Sequence, residues 1–222
     1  MTFLQQSLGQ IAREVPGATD VFHAYKLDFC CGGAHTLQEA AQKKGLDPAP
    51  IVERLRKLVA QAPEALRQWS EGELPELVAH IQSHFHERHR VQLPELARLA
   101  RRVEAVHRDH PACPVGLTRL LDQVGAELES HMAREEAVLF PLLSERQYGT
   151  AREPISAMMS EHDHHGESPE RLLALTNDAT PPQGACNTWQ ALYLGLRTFK
   201  EDLMAHIHLE NNVLFDQARR AS

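Results

Sequence analysis

At 222 residues the chain can hold one ordinary domain plus a small second one, with length enough for a buried core. Its net charge of −7 argues against a general nucleic-acid binder, which would need a basic face, and no run approaches about 18 uninterrupted apolar residues, so no transmembrane helix is expected. The first ten residues lack both the basic region and the apolar segment of a secretory signal, which makes the cytoplasm the expected location.

Leu, Ala, Glu, Gln and Arg dominate and β-branched runs are absent, a helical composition. The N-terminal part reads as short amphipathic pieces at 4–14, 17–26, 36–45 and 49–61, punctuated by Pro16, Gly32-Gly33, Gly45 and Pro48. Pro63 to Pro75 is looser and reads as a linker. Four longer helical patterns follow at 75–108, 115–145, 154–175 and 188–217. The breaks between them carry Pro111 and Pro114, then Gly149 and Pro154, then Pro181, Pro182 and Gly184. The expected fold is all-α: a small helical domain at 1–62, a linker at 63–74, and an up-down-up-down four-helix bundle at 75–222.

Within that bundle one chemical unit occurs twice. His86 precedes His131 by 45 residues with Glu135 four further on, and His162 precedes His206 by 44 with Glu210 four further on. The second set follows the first by 76, 75 and 75 residues. The flanks agree as well, His131-Met-Ala-Arg-Glu135-Glu-Ala-Val-Leu-Phe140 echoing His206-Ile-His-Leu-Glu210-Asn-Asn-Val-Leu-Phe215. Helix residues four apart share a face, so each His-x-x-x-Glu aims an imidazole and a carboxylate at one point. Four imidazoles and two carboxylates suffice for two metal ions and are generous for one.

The chain has 14 histidines, and helical periodicity sorts them. From His86 the same face continues through Leu93, Leu96, Ala100 and Val103, whereas from His84 it runs into Arg88, Glu95, Arg98 and Arg102. His84, with His80 on the same stripe, is therefore expected outside. His89 is three residues from His86 and can also face inward, as a ligand or as the neighbour of one. His131 follows Leu117, Leu121, Val124 and Leu128 and leads to Val138 and Leu142; His206 follows Leu196, Phe199 and Leu203 and leads to Val213 and Leu214. In the run from His162 to His165, His162 keeps the repeat and stacks above Ile155, Met158 and Met159, whereas His165 breaks the spacing. Two glutamates on apolar stripes need a cation, and mixed imidazole and carboxylate donors suit iron or manganese, with zinc open on affinity alone.

The order His then Glu at four residues resembles the hemerythrin fold rather than the ferritin-like Glu-x-x-His pattern. Tyr25-Lys-Leu-Asp28-Phe-Cys30-Cys31-Gly32-Gly33, followed by Thr36-Leu-Gln-Glu-Ala-Ala, is similar to the N-terminal domain of the repair-of-iron-centres, or ScdA-type, proteins. Phe85-His86-Glu-Arg-His-Arg90, Leu93-Pro94-Glu95-Leu96, Ser130-His131-Met, Ser160-Glu161-His162-Asp163 and Leu209-Glu210-Asn-Asn-Val-Leu-Phe215 extend the resemblance over the whole chain. It implies a di-iron protein of bacterial nitrosative and oxidative stress, with two irons on His86, His131, His162 and His206 and with Glu135 and Glu210 bridging. Repair of damaged iron–sulfur clusters by iron donation is the function expected from it. The alternative is binding or reduction of nitric oxide at the same site, and enzymatic turnover is left open. Expected partners are damaged iron–sulfur proteins and the gases NO and O₂, with no nucleic acid and no membrane. The oligomeric state is open, a homodimer included.

Four cysteines in a chain of this size point to thiol or metal chemistry rather than a disulfide scaffold. Cys30 and Cys31 form the second candidate site, for redox or iron transfer. Gly32 and Gly33 give backbone freedom beside them, and a helix beginning near Thr36 favours thiolate. Whether the two pair as a disulfide or bind iron is open. Cys113 and Cys186 are isolated beside loops and read as structural.

Overall fold

The computed structural model describes residues 3–15, 18–29, 33–61 and 74–221. It divides into two compact units, Met1–Val78 with Ile207–Ser222, and Ala79–His206. All regular structure among the described residues is helical, apart from one isolated bridge between Ser7 and Thr36. No helix there is long and apolar enough to cross a membrane.

In the first unit a short turn, Phe3–Gln5, leads into α1 (Leu8–Glu14), whose first turn is capped by the Ser7 hydroxyl accepting from the Gln10 N–H at 3.1 Å. Helix α2 (Ala18–Ala24) follows. Thr36 and Glu39 then form a reciprocal capping box that fixes the start of α3 (Leu37–Lys43). Gly45, at φ 65, ends that helix in the left-handed region before α4 (Ala49–Gln61). Phe3, Leu8, Ile11, Phe22, Phe29, Leu37, Ile51 and Leu55 are buried, as are Leu214 and Phe215 of the C-terminal stretch. The linker expected at 63–74 falls almost wholly outside the described residues.

The remaining helices are mostly long, and the second unit holds their residues from Ala79 to His206. Helix α5 (Leu74–Ile81) continues through a widened turn, Gln82–His86, into α6 (Glu87–Val106). Helix α7 (Leu117–Arg134) widens at Glu135–Leu139 before α8 (Phe140–Ser144). Helix α9 spans Tyr148–Leu175, and α10 (Asn187–Leu209) runs through a third widened turn, Glu210–Leu214, into α11 (Phe215–Arg220). Helix α7 packs between α6 and α9, and Gly195 of α10 lies against Leu96 of α6. This is the expected helical bundle.

Two local expectations change. The third long helix begins at Tyr148, not at 154, because only Glu145–Gln147 break the chain. Pro154 and Pro169 sit inside it, each withholding one N–H from the ladder. The stripe below His131 is also displaced: Leu139, Phe140 and Leu143 are buried, Val138 is exposed and Leu142 is only partly covered. The cause is the widened turn, in which the Phe140 N–H bonds the Glu135 carbonyl five residues back, so one extra residue shifts the face by one position.

Candidate metal centre

Each of the three widened turns lies at a sequence-predicted ligand. His86 closes the first, and Glu135 and Glu210 open the other two, where Phe140 and Phe215 donate their N–H groups to the Glu135 and Glu210 carbonyls. The repeat read in the side chains therefore extends to the backbone, at the same 75-residue offset. Such insertions turn the following side chains and concentrate at functional sites.

His86, His131, His162 and His206 are all buried, and Glu135 and Glu210 are 0% exposed. The imidazoles converge in pairs. His86 Nε2 is 3.2 Å from His206 Nε2, and His131 Nε2 is 2.9 Å from His162 Nε2. Glu135 serves both pairs, its Oε2 3.5 Å from His86 Nε2 and its Oε1 3.4 Å from His131 Nε2 and 4.0 Å from His162 Nε2. Glu210 stands one turn past His206 on the same unbroken helix. Within the second unit His86, Glu135 and His206 converge in one group and His131, Glu135 and His162 in another, with donor atoms within 4.8 Å in each.

These residues fit a metal ion at each group. Two ligands about 2.1 Å from one ion and at a right angle are about 3 Å apart, which matches both imidazole pairs. Buried carboxylate oxygens beside imidazole nitrogens are a mixed donor set of the kind that suits iron or manganese.

A surrounding layer, invisible to helical periodicity, orients the imidazoles. His86 gives its Nδ1 hydrogen to Glu136 Oε1 at 2.7 Å, and His131 gives its own to Glu161 Oε2 at 2.8 Å. An ionised carboxylate can only accept, so Nε2 of each ring keeps a lone pair pointing inward. Each carboxylate is clamped in turn by an arginine. Arg90 bonds Glu136 through two nitrogens at 3.0 and 3.1 Å, and Arg134 binds Glu161 in the same forked way. For Glu161 the Arg134 fork, helped by His131, outweighs burial and holds the carboxyl at about 2. Burial pushes Glu136 upward, but Arg90 and His86 prevail and its carboxyl stays below the usual range.

His80, His84, His89 and His165 fall outside these central groups. His84 is exposed and His80 half-buried, the two rings stacked 5.0 Å apart. His89 is buried beside the His206 ring at 5.3 Å, with its Nδ1 3.2 Å from the Gln92 Oε1. His165 is buried too and joins His131 and Glu161 in a smaller group rather than the central ones. Cys30 and Cys31 lie outside the described residues. The residues flanking that segment are placed: the Phe29 ring meets His208 edge-on at 5.5 Å, and Gly33 lies against Asn212.

The hemerythrin HHE cation-binding domain model matches residues 77–218, and the ScdA_N domain, of unknown function, matches residues 4–59. The chain belongs to the ScdA-type repair-of-iron-centres family. Among its relatives is the iron–sulfur cluster repair protein YtfE of Dickeya chrysanthemi, 48% identical over 220 residues, 99% of each chain. The YtfE of Pectobacterium atrosepticum matches to the same identity and extent. A probable iron–sulfur cluster repair protein of Haemophilus influenzae is 46% identical over 216 residues, 97% of each chain.

Proposed function

We propose that this protein repairs damaged iron–sulfur clusters by giving up iron held on His86, His131, His162, His206, Glu135 and Glu210. The observation that carries the reading is Glu135, which presents one carboxylate oxygen to each imidazole pair. That arrangement supports two iron ions bridged by carboxylate, with Glu210 the second bridge. The names of the relatives, repair proteins over essentially their full length, support cluster repair as the task.

Iron, when bound, would supply an exchangeable ion that also takes small ligands. The chain's own residues do the rest. Glu136 and Glu161 hold the ring hydrogens of His86 and His131 on Nδ1, so that in the neutral rings Nε2 is the nitrogen turned inward as a donor. Every donor is a group that a proton can displace, so the iron is held without being locked in. The flanks of the Cys30-Cys31 segment pack on His208 and Asn212, either side of Glu210 on one helical stretch, which supports a role for the two thiols in passing iron on.

The reading is tested by mixing the iron-loaded protein with an enzyme whose iron–sulfur cluster has been broken by nitric oxide or an oxidant. Activity should return with the loaded protein and not with the metal-free protein. Equal recovery with both would overturn iron donation, and sustained nitrous oxide formation would favour a nitric oxide reductase.

A further inference from the structure

His107 and Cys186 are 79 residues apart in sequence, yet the imidazole Nε2 lies 3.1 Å from the thiol Sγ. Both are held from behind. The His107 N–H bonds the Val103 carbonyl at 2.9 Å at the end of α6, and its ring lies 4.8 Å from the buried Trp189 ring. The Cys186 carbonyl accepts the Gln190 N–H at 3.0 Å at the start of α10, leaving its side chain exposed. His110 packs edge-on to the same indole at 5.3 Å, which further fixes the loop. Cys113, which the sequence does not distinguish from Cys186, is different. It is half-buried, and burial, followed by the charge of Glu104, pushes its thiol up.

A nucleophile with a positioned base in hydrogen-bond reach is the pattern of an activated thiol. We propose that Cys186 is a thiol-modification site, with His107 as its general base, that reacts with a small disulfide such as glutathione disulfide. His107 Nε2 accepts the thiol proton and the sulfur attacks one sulfur of the disulfide. A new S–S bond forms as the reagent's own breaks, and the departing thiolate takes the proton from His107. One disulfide is consumed and one is made, so no further oxidant enters. The 20 residues of α6 put this pair about 30 Å from His86, and the modification leaves the metal ligands untouched.

The test exposes the full-length, metal-loaded protein to glutathione disulfide and follows each cysteine separately by peptide mass. Cys186 should form its mixed disulfide at least about ten-fold faster than Cys113, and faster by a similar factor than the same thiol in a synthetic peptide of residues 183–190, which carries no imidazole. His107→Gln should remove the excess rate while metal content and helicity stay unchanged. A Cys186 rate no higher than the peptide's, or an undiminished rate in folded His107→Gln, would overturn the proposal. If His107→Gln does not fold, the peptide comparison decides.

Discussion

His86 donates its Nδ1 hydrogen to Glu136 at 2.7 Å, and that bond decides which of its nitrogens faces the centre. His131 and Glu161 repeat the relationship at 2.8 Å. Removing such an outer partner typically weakens metal binding about 10- to 100-fold while every ligand stays in place. Glu136→Ala and Glu161→Ala should each do so, measured by competition with a chelator of known affinity. Wild-type affinity in both would mean that the carboxylates serve only the surface.

Substitution at the centre itself should act on metal content rather than on affinity alone. His131→Ala deletes one donor of a buried group, Glu210→Ala the second proposed carboxylate, and each should lower bound iron, counted per chain. His84→Ala, an exposed position two residues from His86, should keep it. Equal loss in His84→Ala and His86→Ala would reverse the assignment of faces.

The buried His and Glu residues of the repeat were legible because matched spacing is independent of where the helices cross. Their surroundings were not. Glu136 sits next to Glu135 and Glu161 next to His162 in sequence, and only the placement of a neighbouring helix brings an imidazole nitrogen to them. Nor does periodicity announce a widened turn. A strict helical count from His131 leads to Val138 and Leu142, and one inserted residue gives Leu139, Phe140 and Leu143 instead. The pairing of Cys186 with His107 likewise depends on two loops meeting across the end of the bundle.

The N-terminal unit offers a packing test. A Cβ on Gly33 would lie 2.5 Å from the Phe29 carbonyl oxygen and 3.0 Å from Asn212 Oδ1, and the first of these is backbone with little room to yield. Gly33→Ala should therefore destabilise by about 1–3 kcal/mol. Gly149→Ala, where nothing lies within 4 Å, should be tolerated within about 0.5 kcal/mol. Denaturant midpoints of the two variants decide the matter, and equal midpoints would show that the approach of Gly33 to Phe29 is relaxed in solution.

Acid separates the inner and outer layers. Imidazole ligands must be neutral to bind, so metal should leave as pH falls below about 6.5, displaced downward by its own affinity. Glu161 responds later. Arg134, then His131, hold its carboxyl at about 2 against an ordinary 4.5, so its contribution to stability is complete above 4.5 and is lost as pH falls toward 2. In the metal-free protein, unfolding midpoints should drop through that window, and less steeply in Glu161→Gln. The same slope in both would place the loss elsewhere.

Iron donation and nitric oxide reduction make opposite demands on this centre, since a donor must lose what a reductase must keep. The direct measurement loads the protein with isotopically labelled iron and follows the label while a damaged iron–sulfur enzyme regains activity, with Cys30→Ala/Cys31→Ala alongside. The label should enter the rebuilt cluster in step with activity, and the double variant should retain its iron and reactivate poorly. Activity returning with no label in the cluster, or nitrous oxide accumulating over many turnovers with the label still in this protein, would contradict iron donation.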